Sequence, residues 1–367
     1  GRGYSRGVTE RLTLDQARRI AVRAQLLDAD RPGDVVEVAE QLGYVKIDPT
    51  AVIAPSEHSM LWSRMGWSYE SGQLQKAVEV DRLLFEFDGA FRPMSLLPLM
   101  LPRMRRWPQR ESSRQWLAAN DRFRRDVIAR LRADGPLRAS EIPDTAEVRR
   151  PPDGWSGGNQ VPHMLDFLSR QGVVAVARRE GRHRVWDLAE RVYPADLPEY
   201  DDEEAARLLE ERWLQSYGIA RPHWYWTGVG KATGEAAAVE GSTVRFRVDP
   251  DALAAVDDDP GGRVAFLNPY DSMLFDRRRL EEVFGFTYVL EQFKPKAQRV
   301  YGYFAYPILL GDRFVGMLDA ELDRDDGVLR VTAVHEFAPL DEDESEMIRA
   351  EIGALAEWLG VDVGGPR

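Results

Sequence analysis

The chain contains no cysteine and only five histidines among its 367 residues. Without thiols it cannot form a disulfide bond, a thiolate zinc site, an iron–sulfur cluster or a cysteine nucleophile. The histidines show no close ligand spacing, so we expect neither a metal nor another cofactor. A metal-dependent nuclease is therefore the poorest fit, and activity that survives EDTA would exclude it.

Long apolar runs are missing as well. No stretch of 18 apolar residues occurs, which argues against a transmembrane helix. Residues 1–10 are short and polar, and nothing in them directs export. We therefore expect a cytoplasmic protein that has no contact with a membrane.

Lysine is rare, with 5 lysines against 44 arginines, and the net charge is −12. The charge is unevenly distributed, because residues 103–132 carry ten arginines and three acids while residues 190–212 carry nine acids and three arginines. The first segment contains a predicted amphipathic helix from Ser113, with a basic outer face. Arginine suits phosphate contacts, although the excess could equally reflect a GC-rich genome.

The beginning of the chain predicts a winged helix. Residues 12–28 and 34–42 have apolar positions at helical spacing, and residues 44–49 look like a strand that a proline ends. Side chains alternate along a strand, so Lys46 and Asp48 are expected to project to the same side. Helix, helix, strand is the order in which a winged helix starts.

A second winged helix is predicted further along. Residues 160–170 look like a helix, and residues 173–177 and 184–188 look like the two strands of a hairpin with a basic tip. Such a wing would reach toward a phosphate backbone. The alternative is a solvated hairpin tip with no ligand. The cationic side chains of the tip are Arg178, Arg179, Arg182 and Arg184.

The last hundred residues differ in character, since closely spaced alternating segments there indicate a small β-barrel or sheet. The predicted strands are 288–291, 299–306, 314–322 and 329–334. Residues 341–359 predict a terminal helix. Its first turn carries four acids, and because the helix dipole favours negative charge at this end, we interpret them as structural and not as a magnesium site.

Together these patterns predict an α+β fold of tandem winged-helix (helix-turn-helix) units plus a small C-terminal β-barrel. The predicted segments are 1–110 (first winged-helix unit), 111–195 (second unit with the basic wing), 196–262 (third, winged-helix-like unit) and 263–367 (β-barrel and terminal helix).

Several segments in this order resemble a known family. They are LTLDQARRIAVRAQLL, LGYVKIDPT, LWSRMG, and LNPYDSMLFDRRRLEEVFGF followed by RVYGYFAYPILLGDRFVG. The chain thereby resembles the winged-helix family of AlkZ-like and YcaQ-like bacterial DNA glycosylases, over nearly its whole length. The resemblance implies three tandem winged helices and a β-barrel around a DNA-sized cleft. With three wings on one chain, we expect a monomer at the nucleoid that binds double-stranded DNA.

The resemblance also implies a catalytic pair, written Gln-apolar-Gln or Gln-apolar-Asp, which falls on Lys46-Ile47-Asp48. Asp48 inherits the role of the catalytic carboxylate, whereas Lys46 departs from the usual glutamine. A carboxylate beside C1′ can stabilise an oxocarbenium-like sugar and position the attacking water. An N7-alkylated guanine already carries positive charge and leaves readily, so one carboxylate is enough.

Three roles for Lys46 stay open. It could ion-pair with Asp48 and lower the pKa of that carboxyl group, contact a phosphate beside the lesion, or, if desolvated, attack C1′ to form a Schiff base. A plain surface salt bridge without function is the alternative to all three. We also expect His58, Ser63 and Arg64 to contact DNA, and Trp62 and Trp67 to belong to the core.

The leading hypothesis is a DNA-repair enzyme, a monofunctional glycosylase that excises alkylated or interstrand cross-linked purines. The competing hypothesis is a non-catalytic winged-helix DNA-binding protein or transcriptional regulator. Lys46 in place of glutamine favours the second hypothesis, and the retained Asp48 favours the first.

Overall fold

The structure is a computed structural model that describes residues 9–151, 156–222, 228–259 and 261–366. Its α-helices are α1 (Leu14–Ala24), α2 (Val35–Leu42), α3 (Ser56–Met65), α4 (Ser71–Glu79), α5 (Leu97–Arg105), α6 (Glu111–Ala119), α7 (Asp121–Asp134), α8 (Val161–Arg170), α9 (Ala189–Val192), α10 (Asp202–Tyr217), α11 (Pro250–Ala254), α12 (Arg277–Phe284) and α13 (Glu342–Leu359). The mixture of helices and sheets confirms the predicted α+β class.

The β-strands are β1 (Glu10–Leu12), β2 (Val45–Lys46), β3 (Leu84–Phe87), β4 (Ala90–Pro93), β5 (Leu137–Arg138), β6 (Val174–Glu180), β7 (His183–Leu188), β8 (Ile219–Ala220), β9 (Glu235–Val239), β10 (Arg245–Val248), β11 (Val264–Phe266), β12 (Tyr306–Leu310), β13 (Arg313–Asp323), β14 (Val328–Glu336) and β15 (Asp362–Gly364). Within the described residues, no helix has both the length and the apolar character needed to cross a membrane.

The chain divides into two compact units. One, here called the terminal unit, combines Gly1–Gln73 with Leu209–Arg367, and the other, the central unit, is Leu74–Leu208. This division cuts across the four predicted segments. The reason is that β1 pairs in parallel with β9, so that the start of the chain shares a sheet with residues from the predicted third segment.

The first sheet of the terminal unit has the strand order β1-β9-β10-β8. Helix α1 packs beside it because Ile20, Ala21 and Val22 are buried in the same apolar cluster as residues of this sheet. A capping box begins the helix, in which the Thr13 hydroxyl and the Gln16 side chain each accept the other residue's backbone N–H.

The second sheet of the terminal unit has the order β11-β12-β13-β14-β15 and is open in the described residues, so the predicted barrel is a half-barrel. The predicted strands at 314–322 and 329–334 are confirmed as β13 and β14. Residues 288–291 and 299–305 are loop instead. Helix α13 begins with a capping box on Asp341, consistent with a structural role for its leading acids.

The central unit contains a three-stranded sheet of order β5-β7-β6, against which α7 and α8 pack. Its core includes Phe123, Val127, Leu131, Met164 and Leu165. The predicted hairpin is confirmed, since β6 and β7 pair in antiparallel fashion from Val174 to Glu180.

The arginine-rich helix predicted from Ser113 is two helices, α6 and α7, that meet at Asn120. The Asn120 side chain is buried, its amide donates to the carbonyl oxygen of Val148 at 2.9 Å, and its oxygen accepts the N–H groups of Glu147 and Val148. The Asn120 amide also donates to the carbonyl oxygen of Trp116, one turn back, and a side chain that bonds nearby backbone in this way favours a bend or an end of a helix.

Candidate active site

The segment that carries Lys46 and Asp48 starts with a sharp turn after α2. Gly43 ends the helix with φ +74°, and a Cβ at this position would lie 2.5 Å from the Trp213 ring. Strand β2 then covers only Val45 and Lys46. The predicted strand 44–49 is therefore shorter than expected, and strand alternation does not govern the direction of Asp48.

The Asp48 carboxylate is half-buried and held by the local backbone. Its Oδ1 accepts the N–H of Thr50 at 2.9 Å, an Asx-type contact that fixes the side chain over its own turn. A few residues later, the carbonyl oxygen of Val52 accepts the N–H of Leu322 at 2.8 Å, which ties the segment to β13. A fixed carboxylate that solvent can still reach has the properties that positioning a water requires.

Lys46 is half-buried. The ion pair with Asp48, the phosphate contact and the amine nucleophile all stay predictions for this side chain.

His58 lies in the first turns of α3 and is half-buried. Its Nδ1 and the Tyr69 hydroxyl are 2.6 Å apart and hydrogen-bonded, and Tyr69 is fully buried. Burial lowers the pKa of the imidazole, which favours its neutral form. The ring is thus anchored on one side by an interior residue, and a DNA contact by His58 stays a prediction.

Ser63 and Arg64 are buried, which contradicts the predicted DNA contacts. The Arg64 guanidinium donates two hydrogen bonds to the Asp271 carboxylate, at 2.5 and 2.9 Å, and neither side chain is exposed. The Ser63 hydroxyl accepts from Arg64 and donates to the carbonyl oxygen of Met60. Both residues therefore anchor α3 inside the terminal unit, away from any phosphate.

A polar network that the sequence did not single out lies beside α3. The Tyr306 hydroxyl is 3.1 Å from the Ser59 hydroxyl and accepts the Asn268 amide at 3.0 Å. Burial raises the pKa of Tyr306 to about 12, so the hydroxyl keeps its proton. The sequence did contain a signal for this network, because Asn268 and Tyr306 both lie in segments that carry the family resemblance.

The two tryptophans that we expected in the core behave differently. Trp62 is buried, and its ring stacks on Trp358 with centroids 5.6 Å apart. Trp67 is 91% exposed, so the prediction for this residue was wrong. It lies in the short 3₁₀ turn Gly66–Ser68 after α3, where helical spacing no longer applies.

The arginines of the β6–β7 hairpin are mostly paired with acids. Arg179 donates two hydrogen bonds to Glu86, at 2.8 and 2.7 Å, and Glu86 is buried. Arg178 pairs with Glu180.

Arg184 and Arg182 complete the hairpin. Arg184 pairs with Asp166 and also lies over the Trp186 ring at 4.7 Å. Arg182, at the turn, is exposed, and no ion pair is recorded for it within the described part of the chain. The tip thus presents fewer unneutralised cations than its sequence indicates.

The predicted residues thus fall into two groups. Lys46, Asp48 and His58 lie in the terminal unit together with the buried Ser63 and Arg64, whereas the four hairpin arginines lie in the central unit. Among residues 9–151, 156–222, 228–259 and 261–366, no group of three histidine or acidic side chains is arranged to hold a metal ion.

Comparisons with known proteins agree with the resemblance seen in the sequence. Among solved structures, Streptomyces sahachiroi DNA glycosylase AlkZ is similar at a TM-score of 0.65 over 97% of this chain and 100% of that chain, with 16% identity, which shows a shared fold. A family model described as "DNA glycosylase AlkZ-like" matches residues 39–358. Because this match spans most of the sequence and includes Lys46 and Asp48, the chain belongs to the AlkZ-like family of DNA glycosylases.

Proposed function

We propose that the protein is a monofunctional DNA glycosylase that hydrolyses the N-glycosidic bond of alkylated, N7-alkylguanine-type, or interstrand cross-linked purines in duplex DNA. The observation that carries the proposal is Asp48. The resemblance of Lys46-Ile47-Asp48 to the family's motif implies that Asp48 is the acidic member of the catalytic pair, and the Thr50 N–H holds its half-buried carboxylate at 2.9 Å.

In the proposed reaction, Asp48 orients a water toward C1′ and accepts its proton as the bond to the base breaks. The carboxylate also stabilises the positive charge that develops on the sugar. The electrons of the glycosidic bond leave with the purine. Alkylation at N7 gives the purine ring a positive charge, which makes it a good leaving group. General base catalysis of this kind contributes about 10²- to 10⁴-fold in rate.

We propose that winged helices bind the DNA. The order α7, β5, α8, β6 and β7 supports a winged helix in segment 111–195, with the β6–β7 hairpin as its wing. The order α1, α2 and β2 supports another in segment 1–110. Arg182 at the hairpin turn is the side chain that we propose for a phosphate contact, and Arg178, Arg179 and Arg184 shape the wing around it.

Lys46 favours a second candidate function, a non-catalytic DNA-binding protein or regulator. The family's glutamine at this position is replaced by a cation, which suits a phosphate contact better than it suits water positioning. A reactive Lys46 would instead form a Schiff base with the sugar, which borohydride reduction would trap as a covalent protein–DNA adduct. Without such an adduct, released base indicates monofunctional hydrolysis.

The test is single-turnover release of base from duplex DNA that contains one N7-methylguanine, with EDTA present. We expect Asp48→Asn to lower the rate about 10²- to 10⁴-fold while duplex affinity stays the same. Asp196→Asn, which changes an exposed carboxylate of the central unit, is the matched control and should keep the native rate. Lys46→Gln, which restores the family's residue, reports whether lysine assists or obstructs the reaction.

A native protein that binds the duplex but releases nothing would contradict the alkylpurine substrate. A cross-linked duplex is then the remaining substrate to try. Failure on both substrates would favour the DNA-binding alternative.

A further inference from the structure

A loop at residues 289–303, hereafter the 289–303 loop, exposes an aromatic residue almost completely. Phe293 is 87% exposed, and Val300 and Tyr303 on the same loop are 66% and 46% exposed. The loop lies in the terminal unit and leads into β12, which starts at Tyr306. Apolar groups collected on one surface loop commonly mark a binding site.

The loop is held in place by one buried carboxylate. Glu291 is only 5% exposed, and its Oε2 accepts the N–H groups of Val300 at 2.9 Å and Tyr301 at 2.7 Å. The other carboxylate oxygen, Oε1, accepts from the Lys294 amine at 3.1 Å. Burial would raise the pKa of Glu291, but these hydrogen bonds outweigh burial and hold it below its ordinary value.

A glycine completes this arrangement. Gly302 has φ +127°, and a Cβ at this position would lie 2.5 Å from the Asp319 carboxyl carbon. Only glycine fits such a close approach in this conformation. The loop is therefore built to a fixed shape, with the Phe293 ring kept outside it.

The segment that carries the exposed ring is rich in cations. The loop carries Lys294, Lys296 and Arg299 against the single acid Glu291, in a chain with a net charge of −12 and only five lysines. Lys296 is exposed. The Arg299 guanidinium lies over the Tyr303 ring at 5.0 Å, and no acidic partner is recorded for either cation within the described residues.

We propose that the 289–303 loop contacts duplex DNA, with Phe293 stacked against a base at the distorted lesion and Lys296 and Arg299 on the neighbouring phosphates. The inference rests on the proposed function and adds a second contact element to it. Apolar wedges from a rigid loop insert at unstacked base steps, and cations beside them fix the backbone. A protein partner with an apolar surface would not require this excess of cations.

The test measures affinity of the full chain for a duplex with one tetrahydrofuran abasic site, by fluorescence anisotropy over a series of salt concentrations. We expect Phe293→Ala to weaken binding about tenfold with an unchanged salt dependence, because stacking is not ionic. Lys296→Ala should lower the slope of log K against log salt by about 0.9, the contribution of one phosphate contact.

Trp67→Ala is the matched control, since this ring is as exposed as Phe293 but lies outside the loop. It should bind like the native protein. Native affinity in both loop variants, or an equal loss in Trp67→Ala, would overturn the proposal. All three side chains are exposed, so none of the substitutions threatens folding.

Base release from the N7-methylguanine duplex is measured on the same preparations. A native protein that releases base while the loop variants keep native affinity overturns only the role of the loop. A native protein that neither binds the abasic duplex nor releases base from the N7-methylguanine duplex overturns both the proposed function and the role of the loop.

Discussion

Selected arginines of the two units show two different roles for this side chain. In the terminal unit, Arg64 and Arg279 are fully buried and their guanidinium groups bind a carboxylate or backbone carbonyl oxygens. In the central unit, Arg122 and Arg132 on α7 and Arg182 on the hairpin are exposed to solvent. The first group fixes the interior, and the second group is available for ligands.

The difference teaches that an arginine-rich composition does not by itself indicate a DNA-binding surface. The two groups differ in what their guanidinium groups bind. A buried guanidinium needs protein acceptors for its N–H donors, whereas an exposed one is hydrated and can exchange that water for a phosphate. Arg64 and Arg182 are therefore the two residues on which the comparison can be tested most directly.

The largest expected effect is that of Arg64→Ala on stability. It would leave the buried Asp271 carboxylate unpaired, and the free energy of unfolding in urea should fall by about 3–5 kcal/mol. Arg182→Ala should change it by less than about 0.5 kcal/mol. Equal effects of the two substitutions would remove the distinction between the groups.

An intermediate effect is expected for Arg179→Ala, in the hairpin. Arg179 is partly exposed, but its partner Glu86 is buried, so unfolding should become easier by about 1.5–3 kcal/mol. Adding Glu86→Leu should recover part of this loss, since no buried charge then lacks a partner. If the double variant is no more stable than Arg179→Ala in the urea titration, the pair does not act as a unit.

A smaller effect, on binding alone, is expected for Arg182→Ala. One phosphate contact fewer should lower the salt-dependence slope of duplex affinity by about 0.9. Arg324→Ala, which removes an exposed cation of the terminal unit, serves as control and should leave the slope as it is. A slope that changes in Arg324→Ala but not in Arg182→Ala would place the phosphate contacts elsewhere.

The smallest effect concerns pH and contrasts half-buried His58 with exposed His183. Because burial lowers the His58 pKa from 6.5 in the folded state, the unfolded chain binds more protons. The free energy of unfolding should therefore decline as the pH falls below 6.5, the ordinary pKa that His58 has in the unfolded chain. Urea titrations between pH 8 and 5.5 should show a weaker decline in His58→Gln and an unchanged one in His183→Gln.

Local signals explain which parts of the fold were predictable. Helix α13 and the β6–β7 hairpin follow from spacing and turn residues close together in the chain. The loop at 288–305 was predicted as strands because its residues alternate, yet Glu291 satisfies the N–H groups of Val300 and Tyr301 that a ladder would use.

The site was predictable only in part, for a related reason. Asp48 could be identified because it lies in a short motif. The burial of Arg64 depends on Asp271, 207 residues away, and no local pattern reports such a partner. Trp67 is the opposite case, a residue predicted to be buried that is exposed. Its apolar neighbours suggest a core position, but α3 ends at Met65 and helical spacing does not extend to Trp67.

The parallel pairing of β1 with β9 has a consequence for synthesis on the ribosome. The central unit is an insertion, complete once residue 208 has emerged, whereas the terminal unit needs both ends of the chain. Asp48 is translated early, but the strand that ties its segment through Leu322 arrives late. A nascent chain can therefore carry a folded hairpin long before the segment that contains Asp48 is tied into place.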